Sequence, residues 1–154
     1  MKILPLALLA AYPCAAQFLS IEVAFEGIGC ASCVQTLPDR IKRLRGVESA
    51  SVDAEHGILK LSLAESNRVR LEQVRDMIEQ DGTKAKKATV RVKGNLTQEG
   101  GRWVLKPVGL STAYEIQGTK SALSTGPRVV DGQVENLRPE SGNLAIQATR
   151  LAEP

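Results

Sequence analysis

The residues with the clearest chemical potential are two of the three cysteines, Cys30 and Cys33, which are separated by only two residues. Thiolates are soft ligands, and two of them on one short loop suit Cu(I), Hg(II) or, with further ligands, Zn(II). They follow Gly27-Ile28-Gly29, whose glycines allow the backbone to turn sharply around a ligand. The spacing therefore predicts a soft-metal site, although thiol–disulfide redox sites have the same layout.

The segments on either side of these cysteines predict a strand followed by a helix. An alternating apolar run at 21–25 indicates the strand. Gly46 is expected to end the helix. The apolar residues after the cysteines recur at the spacing of one helix face: Val34, Leu37, Ile41 and Leu44. Both sulfurs are thus expected at a helix N-terminus, where free N–H groups and the helix dipole lower the pKa of a thiol.

This order of residues resembles the heavy-metal-associated domain family, and the resemblance spans about Ser20 to Lys87. The family includes copper chaperones, the N-terminal modules of copper-pumping ATPases and the periplasmic mercury-binding protein. It implies a ferredoxin-like βαββαβ sandwich that carries a metal between Cys30 and Cys33, and hence a carrier rather than an enzyme. The family usually has Met two residues before the first cysteine, where this chain has the apolar Ile28.

Topology gives these cysteines three expected neighbours. Further strands are predicted at 47–53 and 59–63, and a second helix with an apolar stripe is predicted before Gly82. In a βαββαβ sandwich, the end of the first strand, the turn between the next two and the loop after the second helix share one end. His56 is therefore a candidate third ligand, or simply a turn residue. Thr83 and Lys84 occupy the last loop, where the family carries Tyr, Phe or Lys. Lys84 is expected either to stabilise a negatively charged site or to be solvated.

The first sixteen residues predict a signal peptide. Residues 3–11 are apolar but too short to span a bilayer, and small residues precede the expected cleavage after Ala16. Cleavage would remove Cys14; lipid modification of Cys14 and an uncleaved anchor are the alternatives. The mature chain, from Gln17, is expected to be periplasmic or secreted, with no stable membrane span. In that compartment the remaining cysteines can close into a disulfide.

The second half of the chain predicts an all-β unit without a convincing helix. Turn clusters rich in glycine and proline separate five strand-like segments: 89–94, 102–107, 113–117, 128–135 and 144–148. This pattern predicts a small barrel, for which the OB type is one candidate. The fold class is thus α+β, with a signal peptide at 1–16, a metal-binding domain at 17–87 and a barrel-like domain at 88–154. The last domain has no cysteine, histidine or methionine, so no second soft-metal site is expected there.

Composition and motif together leave three functional hypotheses. A net charge of +3 and only 3% aromatic residues argue against a nucleic-acid partner. The first hypothesis is an exported carrier that exchanges metal with a donor or acceptor protein docking at the Cys-x-x-Cys end. The second is a thiol–disulfide redox protein, although Ala31-Ser32 lies where thioredoxin-like sites usually have Gly-Pro. The third is a structural or interaction module with a Cys30–Cys33 disulfide, which would add little stability because the loop is so short.

Overall fold

The computed structural model describes residues 17–27, 30–107, 110–119 and 123–154. The predicted signal peptide with Cys14, and the loop residues Ile28 and Gly29, lie outside the described residues. The helices are α1 (Ala31–Ile41) and α2 (Leu71–Glu79), and the strands are β1 (Gln17–Glu26), β2 (Val47–Asp53), β3 (Ile58–Leu63), β4 (Lys84–Glu99), β5 (Arg102–Lys106), β6 (Tyr114–Gln117), β7 (Gly126–Val134) and β8 (Ala145–Ala152). Within the described ranges, neither helix has the length and apolar character needed to cross a membrane.

The first half of the chain forms the predicted ferredoxin-like sandwich. Its elements follow the order β1-α1-β2-β3-α2-β4, and its four strands pair antiparallel in the order β2-β3-β1-β4. Alternate strand residues and one stripe of each helix are buried between the two layers, because strands repeat every two residues and helices every 3.6. The buried helix residues are Val34, Leu37, Ile41, Leu71, Val74 and Ile78.

The first helix ends earlier than predicted. It stops at Ile41, and tighter turns follow, in which the Leu44 N–H donates to the Ile41 carbonyl at 2.9 Å. Gly46 is therefore not the helix stop; it has a φ of +100°, and a Cβ there would lie 2.3 Å from the Cβ of Asn67. Buried Asn67 in turn donates to the Phe18 carbonyl at 2.8 Å. The glycine is thus explained by close packing on Asn67.

The long strand β4 belongs to both halves of the chain. Its residues 84–93 pair with β1, residues 88–96 pair with β7 on the opposite edge, and residues 95–99 pair with β5. The domain boundary predicted between Lys87 and Ala88 consequently lies inside this strand. The strand predicted at 89–94 is thus part of a longer strand that serves both halves.

The pairings of the second half return to the strand where they begin. From β4 they pass through β5, β6, β8 and β7, and β7 pairs with β4 again. Only the β6–β8 pair is parallel among the pairings of the described residues. The five predicted strand regions correspond to these strands, while the assignment to the OB type stays a prediction.

The two halves share one hydrophobic core, and Tyr114 connects them. This β6 residue is fully buried, and its ring packs edge-on against Phe18 of β1 with centroids 5.4 Å apart. Burial, together with the negative charge of Glu72 in the first turn of α2, raises the pKa of Tyr114 well above its ordinary value near 10. The buried cluster accordingly includes side chains from both halves of the chain.

The raised pKa of Tyr114 predicts a specific loss of stability in alkali. The unfolded chain releases the phenol proton above about pH 10 and the folded chain does not, so protons stabilise the folded state there. The free energy of unfolding should therefore fall by about 1.4 kcal/mol per pH unit more in wild type than in Tyr114→Phe. Urea titrations at about pH 8 and about pH 11 measure this difference. Parallel pH profiles for the two proteins would contradict the burial argument.

Candidate metal centre

Cys30 is the residue at which the chain enters α1. It is the N-cap, with extended φ and ψ of −155° and 112°, and its carbonyl accepts from the N–H groups of Cys33 and Val34 at 3.1 and 3.2 Å. The Cys33 N–H also lies 3.3 Å from the Cys30 Sγ, which accepts from it. A backbone donor at the start of the helix therefore points at this sulfur, as the sequence predicted for a thiolate site.

The two sulfurs form a disulfide in this structure, across a Cα–Cα separation of 5.2 Å. Both cysteines are half-buried, while Ala31 and Ser32 between them are exposed. The Ser32 Oγ lies 3.1 Å from the Cys30 Sγ. The pair is thus at the surface, where a metal ion, a reductant or a partner's thiol can approach it.

The start of α1 provides a favourable electrostatic environment for thiolates. Its first turn contains no acidic residue, so no carboxylate offsets the positive end of the helix dipole. The hydroxyl of Ser32 and the N–H of Cys33 can each donate to a negatively charged sulfur. These donors stabilise the ionised form that both metal binding and disulfide exchange require.

Two other segments lie at the same end of the sheet as the cysteine loop. The Phe25 N–H donates to the Gly57 carbonyl at 2.8 Å, which holds the β2–β3 turn against the end of β1. On the other side, Glu26 pairs with Lys84 and Phe25 pairs with Ala85 at the start of β4. The end of β1, which leads to Cys30, is therefore flanked by both segments, as the topology predicted.

His56 lies in this turn, but its side chain contacts an aspartate. Its exposed ring places Nδ1 2.8 Å from the Asp53 Oδ2, and its backbone N–H donates to the Asp53 Oδ1 at 3.1 Å. That N–H, followed by the imidazole, holds the pKa of the Asp53 carboxyl below its ordinary value. In the part of the chain that the structure describes, no three His, Cys, Asp or Glu side chains converge on one point. The structure does not bring His56 to the two sulfurs as a third ligand.

Thr83 and Lys84 differ sharply in environment. Thr83 is 2% exposed and its hydroxyl has no hydrogen-bond partner among the described residues, whereas Lys84 is exposed. Residues paired across a ladder share a face, so Ala85 lies on the helix side with buried Phe25, and Thr83, two residues earlier, continues that face. Lys84 falls on the opposite face of the sheet. The alternation favours Thr83 over Lys84 as a neighbour of the cysteine loop.

Sequence reasoning missed the contacts that fix the connection between α2 and β4, residues 80–83. Arg40 of α1 donates to Asp81 at 3.0 Å and to Gln80 at 3.3 Å. In the sequence, Arg40 lies in a basic stretch together with Lys42, Arg43 and Arg45. No local signal could have revealed this pair, because the partners are 41 residues apart.

Comparisons with known proteins assign a family to this half of the chain. The family model of the heavy-metal-associated domain matches residues 22–87. This part of the chain is therefore a heavy-metal-associated domain, as its motif predicted, and it accounts for less than half of the sequence.

Several solved structures are similar to part of the chain. The CopZ metallochaperone has 27% identity over 43% of this chain and 97% of its own, with a TM-score of 0.38. A copper binding domain from HMA7, a P-type ATPase, has 24% identity over 46% and 90%, with a TM-score of 0.37. The N-terminal domain of a potential copper-translocating P-type ATPase from Bacillus subtilis has 19% identity over 44% and 84%, with a TM-score of 0.39. No curated protein matches this sequence.

The contact between Gly57 and Phe25 predicts a large cost for a side chain in the β2–β3 turn. Gly57 has a φ of +63°, and a Cβ there would lie 2.4 Å from the Phe25 carbonyl oxygen. Gly57→Ala should lower the free energy of unfolding by about 3 kcal/mol in a urea titration, through left-handed strain and this clash. Gly100→Ala is the control, because Gly100 has a φ of +55° with no atom within 4 Å of an added Cβ. Equal losses of unfolding free energy in the two variants would show that the close approach of Gly57 to β1 does not add to the cost of the substitution.

Proposed function

We propose that this protein is an exported soft-metal carrier that binds Cu(I), with Hg(II) as the alternative ion, between Cys30 and Cys33. It passes the ion to a partner protein by thiolate exchange and catalyses no reaction on an organic substrate. The observation that carries the proposal is the pair of half-buried sulfurs at the N-terminus of α1, within a heavy-metal-associated domain.

The ligand set favours an ion that accepts two sulfur ligands. Cu(I) is soft and prefers thiolates, as does Hg(II), whereas structural Zn(II) sites almost always have four protein ligands. Since His56 is engaged with Asp53, the described residues supply Cys30 and Cys33 alone. Zn(II) would need ligands from a second molecule.

The position of the two sulfurs suits transfer of the ion. A partner thiolate can form a new sulfur–metal bond while one bond to Cys30 or Cys33 breaks, and the ion keeps its oxidation state throughout. Two thiolates around Cu(I) carry one net negative charge, which the Cys33 N–H and the Ser32 hydroxyl can stabilise. Exposure of Ala31 and Ser32 leaves room for the approaching partner.

Thiol–disulfide exchange is the second candidate function, and the disulfide itself favours it. The bonded sulfurs cannot act as two thiolate ligands, so metal binding requires prior reduction. A dithiol reductant supplies two electrons and two protons, and is itself converted to a disulfide. An exported carrier would therefore depend on such a reductant, because thiols tend to oxidise outside the cytoplasm.

Export and the role of the second half complete the proposal. The basic start, the apolar stretch at 3–11 and the small residues before Gln17 support removal of a signal peptide. The second half, proposed to be a barrel of the OB type, would serve as a docking or spacer module. Sequencing the N-terminus of the exported chain should give Gln17 as its first residue; an intact Met1 would contradict cleavage.

The central prediction concerns Cu(I) binding by the reduced chain from Gln17 to Pro154. Titration against a competing Cu(I) chelator should give one tightly bound ion per chain. The double variant Cys30→Ser/Cys33→Ser should lose more than about a hundredfold in affinity, because both ligands are removed. Fluorescence of Trp103 checks that the variant is folded. If wild type and variant compete equally poorly with the chelator, the carrier proposal fails.

A companion experiment separates the carrier from the redox protein. The oxidised chain should bind no Cu(I) until a dithiol is added, after which binding should reach one ion per chain. The reduced chain should show no more turnover of a model disulfide substrate than a small dithiol of the same concentration. Rapid catalytic turnover with weak Cu(I) binding would instead establish the second candidate.

A further inference from the structure

We propose that the second half of the chain positions the metal site, and that Arg138 is the positioning residue through which it acts. Arg138 fixes the connection between α2 and β4, which leads directly to Lys84, the partner of Glu26 at the end of β1 that precedes Cys30. This inference rests on the proposed function, since its measured consequence is a change in Cu(I) binding. It assigns to the second half a role within the same molecule, in addition to docking a partner.

The segment after β7, residues 135–138, docks on α2. Leu137 is 2% exposed, and its carbonyl accepts from the Arg75 Nη1 at 2.7 Å. Arg138 follows, and its Nε donates to the Glu79 Oε2 at 2.9 Å, while its Nη2 contacts the same oxygen and lies 3.9 Å from the Asp76 Oδ1. Side chains of α2 are thus held at two successive residues of this segment.

Glu79 connects Arg138 to the start of β4. It is the last residue of α2, and only 18% of its side chain is exposed. Its second oxygen, Oε1, accepts from the Ala85 N–H at 3.3 Å. One carboxylate therefore receives Arg138 on one oxygen and the backbone of β4 on the other, and so closes the connection at 80–83.

The connection is held from the opposite side by the helix that carries the site. Arg40 of α1 binds Asp81 and Gln80, and the connection ends at buried Thr83. The next residue, Lys84, pairs with Glu26 immediately before the cysteine loop. The connection is therefore bound by Arg40 in the last turn of α1, the helix whose first turn contains Cys33, and the residue before it, Glu79, is bound by Arg138.

The start of β4 needs this support because β7 does not reach it. β7 pairs with residues 88–96, so the paired residues at the start of the strand, Lys84 and Ala85, pair only with β1. Without Arg138, the Glu79 carboxylate can turn toward water and release the Ala85 N–H. The connection and the start of β4 then sample more conformations before metal binds, and a less preorganised site binds more weakly. Because Arg138 is largely exposed, a modest effect of about twofold to fivefold is expected.

The test compares reduced wild type with Arg138→Gln, Arg138→Lys and Arg128→Gln, each in the chain from Gln17 to Pro154. Arg128 is the matched control because its hydrogen bonds go to Pro127 and Ser124 in its own half. Amide hydrogen exchange at Ala85 reports the connection, and chelator competition reports the dissociation constant for Cu(I). Arg138→Gln should accelerate exchange at Ala85 and raise the dissociation constant about twofold to fivefold. Arg138→Lys should restore most of the slow exchange at Ala85 and most of the Cu(I) affinity. Arg128→Gln should match wild type in both measurements.

The outcomes distinguish this inference from the function on which it rests. If wild type binds Cu(I) tightly and Arg138→Gln binds it equally well, the positioning role is wrong and the carrier proposal stands. Faster exchange at Ala85 with an unchanged dissociation constant would show that Arg138 acts on local stability alone, and would also overturn the inference. If wild type itself fails to bind Cu(I), the carrier proposal fails first.

Discussion

The architecture depends on the hydrogen bonding of β4 along both of its edges. An unpaired strand edge exposes backbone donors and acceptors, which folded proteins must cover or protect. Here β1 and then β5 occupy one edge, while β7 occupies the other from residue 88 to residue 96. The strand that would otherwise be the edge of the ferredoxin-like sheet is thereby built into the second half. The two halves cannot be separated without leaving a strand edge and a shared core exposed.

This shared strand also determines what surrounds the cysteine pair. The end of β1, the β2–β3 turn and the start of β4 lie at one end of the sheet, where β7 does not pair with β4. Arg40, from the first half of the chain, binds Asp81 within the α2–β4 connection. Arg138, from the second half, binds Glu79 immediately before that connection. The structure around the cysteine pair is thus supported by both halves of the chain.

Local patterns in the sequence predicted the helices, the strands and the candidate metal ligands. The features that they did not predict depend on contacts between residues that are far apart in the sequence. Apolar periodicity indicated both helices and all eight strand regions, and the Cys-x-x-Cys motif indicated the family. The predicted end of α1 was wrong because Gly46 is explained by its close packing on Asn67, and no rule for helix ends contains such a long-range contact. The Arg40–Asp81 and Arg138–Glu79 pairs join residues 41 and 59 positions apart, so spacing carried no signal of them.

The pairing of β1 with β4 has a consequence for the order of events during synthesis. Ser20 pairs with Arg91, so the first strand must wait for a partner made much later. At about 5 to 20 residues per second, a separation of about 70 residues corresponds to a delay of roughly 4 to 14 s. Throughout that time β1 can pair with β3 along one edge only, because its other edge awaits β4. The growing chain therefore offers an unpaired strand edge to chaperones before the complete sheet beside the cysteine pair exists.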